Sequence, residues 1–306
     1  MRADCHCDTA LFLLREKTLR ELPAAHLDWQ RVRRYLDIAT MALFVNEAEH
    51  PQDAPAFFHD LLTLLLRDIS ASGGSLELLL WREQLAQPRR PLLLLSSEGA
   101  SCLGREGKFL DEYFASGLRA LGFTWNGANA YAGGCRSEGR LTAAGKRLLR
   151  RCEEKGILVD LAHANKESFW QAVSYAGRPL FVSHTCCAAL HAHPRNLDDD
   201  QLKAVADCGG VTGMCFVPEF LGGAGDLRRL CEHIEYAAEL VGSEHVALGS
   251  DWDGCRPHPS LAGAEKLPAV YAELAARGMP QKDIDNIAGG SMAALLRRVL
   301  PQKPGC

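Results

Sequence analysis

The sequence lacks most of the features that announce a function directly. Its longest apolar runs, near Leu61–Leu66 and Leu92–Leu95, fall far short of the roughly 20 residues a membrane-spanning helix needs. Charge is nearly balanced, with 34 Lys and Arg against 38 Asp and Glu and a net charge of −4. That balance offers no electrostatic basis for binding nucleic acid or an anionic membrane. Among 12 cysteines there is no C-x-x-C pair, which removes zinc ribbons and thioredoxin-type sites. Gly222-Gly223-Ala224-Gly225 is not followed by Lys-Ser/Thr, so it is no phosphate loop and reads instead as a lid hinge. No Pro-, Ser- or Gly-rich linker divides the chain, and one domain over 1–306 is expected. Met1-Arg2-Ala3-Asp4 opens no apolar leader, so a cytoplasmic protein with free thiols is expected. Adjacent Cys186 and Cys187 are poorly placed to bridge each other.

What the sequence does contain is an alternation. Short β-rich runs are expected at Ala3–Cys7, Leu36–Phe44, Pro91–Ser96, Ala120–Thr124, Leu158–Leu161, Leu180–Val182, Gly210–Met214 and Val246–Gly249. Several are continuously apolar, as strands covered on both faces are. Between them, helical spacing predicts Asp53–Ser70, Gly107–Leu121, Leu141–Lys155 with a Gly156 stop, Asp198–Ala206, Arg228–Leu240 and Pro280–Leu300. Residues 66–90 and 255–280 read as irregular, forming loops or extra helices. Eight strands alternating with helices over about 300 residues predict an α/β fold of the (β/α)8 TIM-like barrel type, with a doubly wound open sheet as the alternative.

The ionisable residues fall at the C-terminal ends of these strands. His6 and Asp8 end the first, Glu98 the third, His163 the fifth, His184 the sixth and Asp251 the eighth. In an extended segment residues i and i+2 share a face, so His6 and Asp8 can serve one metal while Cys5 and Cys7 point away. A Cys5-x-Cys7 ligand pair is the rival, but it lacks thiolate partners at useful spacing. Alone, any of these residues could be a cap or a surface residue. Together they lie on the rim where barrel enzymes build their sites, and the donor set suits one or two divalent ions, zinc above all. His191-Ala192-His193 runs into Pro194 and reads as loop shaping. His26, His50, His59, His233, His245 and His258 show no partner pattern and read as surface or helix residues. Asp253 could orient a ligand or cap the turn after it.

The motifs Asp4-x-His6-x-Asp8, Glu98-Gly99, Thr124-Trp125-Asn126, Gly156 through His163, Val182-Ser183-His184-Thr185, His193-Pro194-Arg195-Asn196 and Gly249 through Gly254 together resemble the renal (membrane) dipeptidases. The resemblance covers nearly the whole chain. It implies a binuclear zinc site, with His6 and Asp8 on one ion, His163 and His184 on the other, and Glu98 bridging both. It implies Asp251 as the acid/base and Arg195 as the holder of a substrate carboxylate. The implied activity is hydrolysis of dipeptides by a hydroxide bridging two metals, with a small peptide as partner and a homodimer as a common assembly. Two such ions ~3.5–4 Å apart lower the pKa of the water between them, and a guanidinium binds a free C-terminus bidentately.

One position departs from the pattern. Mammalian members carry a histidine after the Thr of the fourth-strand motif; here it is Trp125, followed by Asn126. Indole offers only an N–H donor. Trp125 is read either as core packing or, with Asn126, as a substrate contact of the form found in bacterial relatives. That departure keeps a second reading open, an amidohydrolase acting on another small amide or lactone. A non-catalytic metal-binding barrel is a third reading, which the Asp251 acid/base disfavours.

Overall fold

The computed structural model describes residues 1–305. Eight parallel strands follow one another around a near-closed barrel: β1 (Ala3–Cys7), β2 (Ile38–Phe44), β4 (Leu92–Glu98), β5 (Leu118–Gly122), β6 (Leu158–Asp160), β7 (Phe181–Thr185), β8 (Val211–Met214) and β9 (Val246–Leu248). A two-residue strand, β3 (Glu77–Leu78), pairs with the start of β4, where β5 does not yet reach. All eight expected strands are present, and the TIM-like barrel is the fold. Closure between β9 and β1 uses individual bonds. The Asp251 N–H donates to the His6 carbonyl at 3.0 Å and the Asp8 N–H donates to the Trp252 carbonyl at 2.8 Å.

Two apolar layers explain why the strands read as continuous runs. Inside the barrel, Ala3, Ile38, Leu92, Leu94, Ala120, Leu158, Phe181, Val211 and Ala247 pack with Met292, Leu295 and Leu296 of the last helix. Outside, Met41, Leu43, Leu93, Leu95, Val159, Val182 and Leu248 meet the surrounding helices. Each large side chain so buried contributes about 1.5–3 kcal/mol. Higher in the barrel the inner face changes character: Ser96 and Glu98 continue the alternation begun by Leu92 and Leu94 on β4. Polar groups therefore appear inside only at the C-terminal end.

The helices start where side chains cap them. Thr142 accepts from the Gly145 N–H, Asp198 from Gln201 in a reciprocal capping box, and Asp226 from Arg229. The helix expected over Asp53–Ser70 spans Ala54–Ala71, and that over Leu141–Lys155 spans Ala143–Lys155 and ends at Gly156. Two expectations are corrected, while residues 255–280 hold one of the extra helices expected there. Gly107–Leu121 is helical only over Leu110–Ala115, because Gly117 takes a φ of 111° and turns the chain into β5. Pro280–Leu300 is broken at Asn286–Gly290 into two helices. Residues 255–280 contain the helix Leu267–Ala276. The helix Lys166–Tyr175 was not expected; its signal is the Asn165 cap, which accepts from the Ser168 N–H.

Candidate metal centre

Six side chains converge above the apolar interior. His6 lies in β1 with Asp8 just past it, Glu98 ends β4, and His184 lies in β7. His163 and Asp251 follow β6 and β9, and both take left-handed backbone, with φ of 69° and 60°. Such strain in residues with side chains gathers at functional sites. Three clusters result: His6–Asp8–Glu98, Glu98–His163–His184 and His6–His184–Asp251.

Glu98 divides its two oxygens between the halves. Oε2 lies 3.6 Å from His6 Nε2, while Oε1 lies 2.8 Å from His163 Nε2 and 3.7 Å from His184 Nε2. His6 Nε2 is also 3.6 Å from Asp8 Oδ2. The far nitrogens of two imidazoles are already engaged. His163 Nδ1 donates to Asn126 Oδ1 at 3.2 Å, and His184 Nδ1 meets Ser183 Oγ at 2.8 Å. With hydrogens on both Nδ1 atoms, the two Nε2 lone pairs face each other at 2.9 Å. Opposed lone pairs of this kind are satisfied by a cation between or beside them, and second-partner bonds such as these orient histidine ligands. His6 Nε2 and Asp8 Oδ1 are buried with no hydrogen-bond partner, which likewise asks for an ion. Imidazole and carboxylate donors suit zinc. The chain thus carries a binuclear zinc site bridged by Glu98.

The electrostatics fit that assignment. Burial, reinforced by Arg195, holds His163 down to about 4 and His184 well below its ordinary value, so both are neutral ligands. Burial opposes charge on His6, but Glu98 and Asp8 outweigh it and raise its pKa. Burial also opposes the Glu98 carboxylate, yet His6 and His163 hold it well below the carboxylate range. Asp251 is pushed well above that range, by burial and then by Asp8.

Several residues outside the expected donor set also shape the site. Asp4 accepts from both the N–H and the hydroxyl of Ser250, each at 2.8 Å, and so anchors the turn that carries Asp251. Asp160 accepts from the Ala162 and Ser183 amides at 2.9 and 3.0 Å, fixing the ends of β6 and β7. Gly254 presses its backbone against the carboxylates; a Cβ there would overlap Asp8 Oδ2 and Asp251 Oδ1. Glu47 accepts from Asn129 Nδ2 at 3.1 Å and from Ser101 Oγ, tying three rim loops together.

Other expectations are sharpened or corrected. Arg195 is buried. It lines a cavity of about 250 Å³ together with His163, its Nη2 donates to the His184 carbonyl at 3.2 Å, and its Nε has no partner. Trp125 is half-buried at the rim, edge-on to Phe44 at 4.9 Å and 6.3 Å from the His163 ring. Asn126 faces His163 and also accepts from Cys135 Sγ at 3.1 Å. Asp253 clamps other segments, accepting from the His26 N–H at 2.7 Å and from Thr9 Oγ1. Cys5 does not share a face with Cys7: Cys5 packs in the inner layer and Cys7 in the outer, against Met41. The β1–β2 register shifts between Asp4 and Cys7, and such an irregularity breaks strict alternation. Of surface or helix, His233 is a helix residue, in Leu227–Val241; it is fully buried, accepting from the Cys187 N–H and donating to the Leu221 carbonyl, both at 3.0 Å. The 11 described cysteines, Cys186 and Cys187 among them, are all free.

A parallel (β/α)8 barrel with a carboxylate-bridged histidine site at its C-terminal mouth defines a metal-dependent hydrolase. The chain belongs to the membrane dipeptidase family, peptidase family M19, whose model matches residues 1–302. It is 32% identical over 269 residues to an uncharacterised Klebsiella pneumoniae protein of the pqqA 5′ region, covering 82% of this chain and 99% of that one. Dipeptidase aclJ of Aspergillus oryzae is 30% identical over 218 residues, 68% of this chain and 52% of the fungal protein. The chain therefore spans about half the length of that relative. Among solved structures, a metallopeptidase from Rhodobacter sphaeroides carrying a phosphinate mimic of L-Ala-D-Ala superimposes with a TM-score of 0.89 at 23% identity, over 97% of this chain and 99% of that one. Dipeptidase AC gives a TM-score of 0.91 at 24% identity over 98% of each chain. At these identities the likeness bears on the fold. No helix of the described residues is long and apolar enough to cross a membrane.

Proposed function

We propose that this chain is a zinc dipeptidase that hydrolyses the peptide bond of short peptides. One observation carries the reading: Glu98 gives one oxygen to each ligand cluster, with Asp251 beside one cluster and the unpartnered Nε of buried Arg195 near the other. His6 and Asp8 would hold one ion and His163 and His184 the other; bound there, zinc would supply Lewis-acid polarisation of the scissile carbonyl and a lowered pKa for the attacking water. Arg195 receives the C-terminal carboxylate, which limits substrates to very short peptides. Asp251, whose burial raises its proton affinity, takes the proton of the water and delivers it to the leaving amine. Asn126 keeps the Nδ1 proton on His163 and so its Nε2 free for the ion. Trp125 forms a wall of the substrate site.

On this reading residues 1–306 form a single catalytic domain, Thr124-Trp125-Asn126 marks a bacterial-type member, and the free thiols suit the cytoplasm. Metal analysis should give about two zinc equivalents per chain, and a panel of dipeptides with L- or D-residues in second position should be turned over. Replacing Asp251 with Asn should lower kcat by about 10²–10⁴ and spare the zinc. If zinc-loaded protein turns over other small amides or lactones but no dipeptide, the second reading replaces the first. Analytical ultracentrifugation distinguishes monomer from homodimer.

A further inference from the structure

The two halves of the metal centre meet at one side chain outside the ligand set. Ser183 Oγ lies 2.8 Å from His184 Nδ1 and 3.4 Å from His6 Nδ1. The two imidazoles thus turn their Nε2 atoms toward the carboxylates of the site and their Nδ1 atoms toward the same hydroxyl. Their ring centroids are 3.9 Å apart. Ser183, His6 and His184 are each 1% exposed, so solvent cannot stand in for the hydroxyl. Among the described residues neither Nδ1 has another hydrogen-bond partner.

The backbone is shaped to allow this. Neighbouring residues on a regular strand point to opposite faces, which would carry Ser183 away from the site that His184 enters. The β7–β8 register shifts between Val182 and Thr185, and an irregularity of this kind breaks strict alternation, so both side chains reach the site. Two glycines give it room: a Cβ on Gly213 of β8 or on Gly249 after β9 would overlap the Ser183 carbonyl oxygen. The β1–β2 register shifts in the same way around His6, between Asp4 and Cys7.

We propose that Ser183 is a positioning residue shared by both halves of the zinc site, its hydroxyl accepting from His6 Nδ1 and His184 Nδ1 together. Its hydrogen-bonding capacity matches that role. An imidazole that gives Nε2 to an ion keeps its hydrogen on Nδ1, so both rings donate. A serine hydroxyl has two lone pairs to receive them and one proton to give. Asp160 is the acceptor for that proton. Its carboxylate takes the Ser183 N–H at 3.0 Å, and burial pushes its pKa up while the bond from the Ser183 side chain works against that push. One hydroxyl thereby sets the ring orientation of a ligand in each half, and its removal loosens both ions together. Asn126, by contrast, serves His163 alone among the ligands. The inference rests on the binuclear site and not on the identity of the substrate.

The test is chelator competition on the zinc-loaded protein. Ser183→Ala should weaken both zinc equivalents by about 10–100-fold, whereas Asn126→Ala should weaken only one. Ser183→Thr, which keeps the hydroxyl, should hold both ions more tightly than Ser183→Ala. A spectroscopic readout uses the wild-type chain: with isotope-labelled histidine, the Nδ1 atoms of both His6 and His184 should show coupling to a directly bonded proton when zinc is bound. Weakening of a single equivalent in Ser183→Ala, affinities equal to wild type, or an unprotonated His6 Nδ1 overturns the proposal and leaves the zinc site standing. A wild-type chain that binds no zinc overturns both.

Discussion

On the β1–β9 side of the metal centre, Asp4, Asp8 and Asp251 crowd around His6; on the β6–β7 side, His163 and His184 face Arg195, and Glu98 is the carboxylate between them. Burial acts on both sides with opposite consequences. It pushes Asp4 up to about 7 and Asp251 well above the carboxylate range, so the first side is short of positive charge. It holds His163 down to about 4, so the second side already presents neutral imidazoles, aligned by Asn126 and Ser183. The same desolvation thus leaves one half dependent on a cation for counter-charge and makes the other half a ready ligand set. Glu98 joins the two because its carboxylate is flanked by imidazoles from both.

The comparison can be broken at its carboxylate half by Gly254→Ala. A Cβ there overlaps Asp8 and Asp251, and a displacement of about 1 Å in such a site costs ~100-fold or more in rate. The expected result is loss of that magnitude in kcat/KM, with zinc content falling toward one equivalent as the Asp8 half loses its ion first. The histidine half is broken more mildly by Asn126→Ala, which removes the acceptor of His163 Nδ1. Metal affinity should fall by about 10–100-fold, read by zinc competition with a chelator, while the fold is retained by circular dichroism.

A histidine outside the centre sharpens the contrast. Burial holds His233, like His163, down to about 4, but both His233 nitrogens are satisfied by backbone. The unfolded chain takes up this proton first, near pH 6.5. Stability from the neutral ring is therefore complete above about pH 6.5 and is lost as pH falls toward 4, roughly 3 kcal/mol in all. Urea unfolding of His233→Gln should lack that part of the pH dependence, and its zinc content should match wild type. The smallest effect is expected at Cys7, which lies between two ligands in sequence but packs outward on Met41. Cys7→Ala should cost about 1 kcal/mol of stability and no zinc; a lost equivalent would revive the thiolate reading.

Much of the architecture was legible because it depends on local pattern. The eight strand runs and the capped helices are signalled by neighbours within a few residues, and the six donors could be found because each sits at a strand end. Gly107–Leu121 was misread because its helical spacing continues past Gly117, where a single dihedral redirects the chain. His233 is the helix residue expected, but its burial was not legible, because its partners come from residues 46 and 12 positions away. Asp4, in turn, meets Ser250 across 246 residues.

By itself, then, the sequence determined the barrel, the donor types and their order along the chain, since periodicity and strand ends are local properties. Only the tertiary structure decided which oxygen of Glu98 faces which histidine, that Asn126 serves His163, that Arg195 is buried with its Nε free, and that Phe44 meets Trp125 edge-on at the rim. Those facts arise where strands far apart in sequence are brought side by side. There, burial shifts proton affinities, and the close approach of Gly254 to Asp8 and Asp251 sets the geometry of the site.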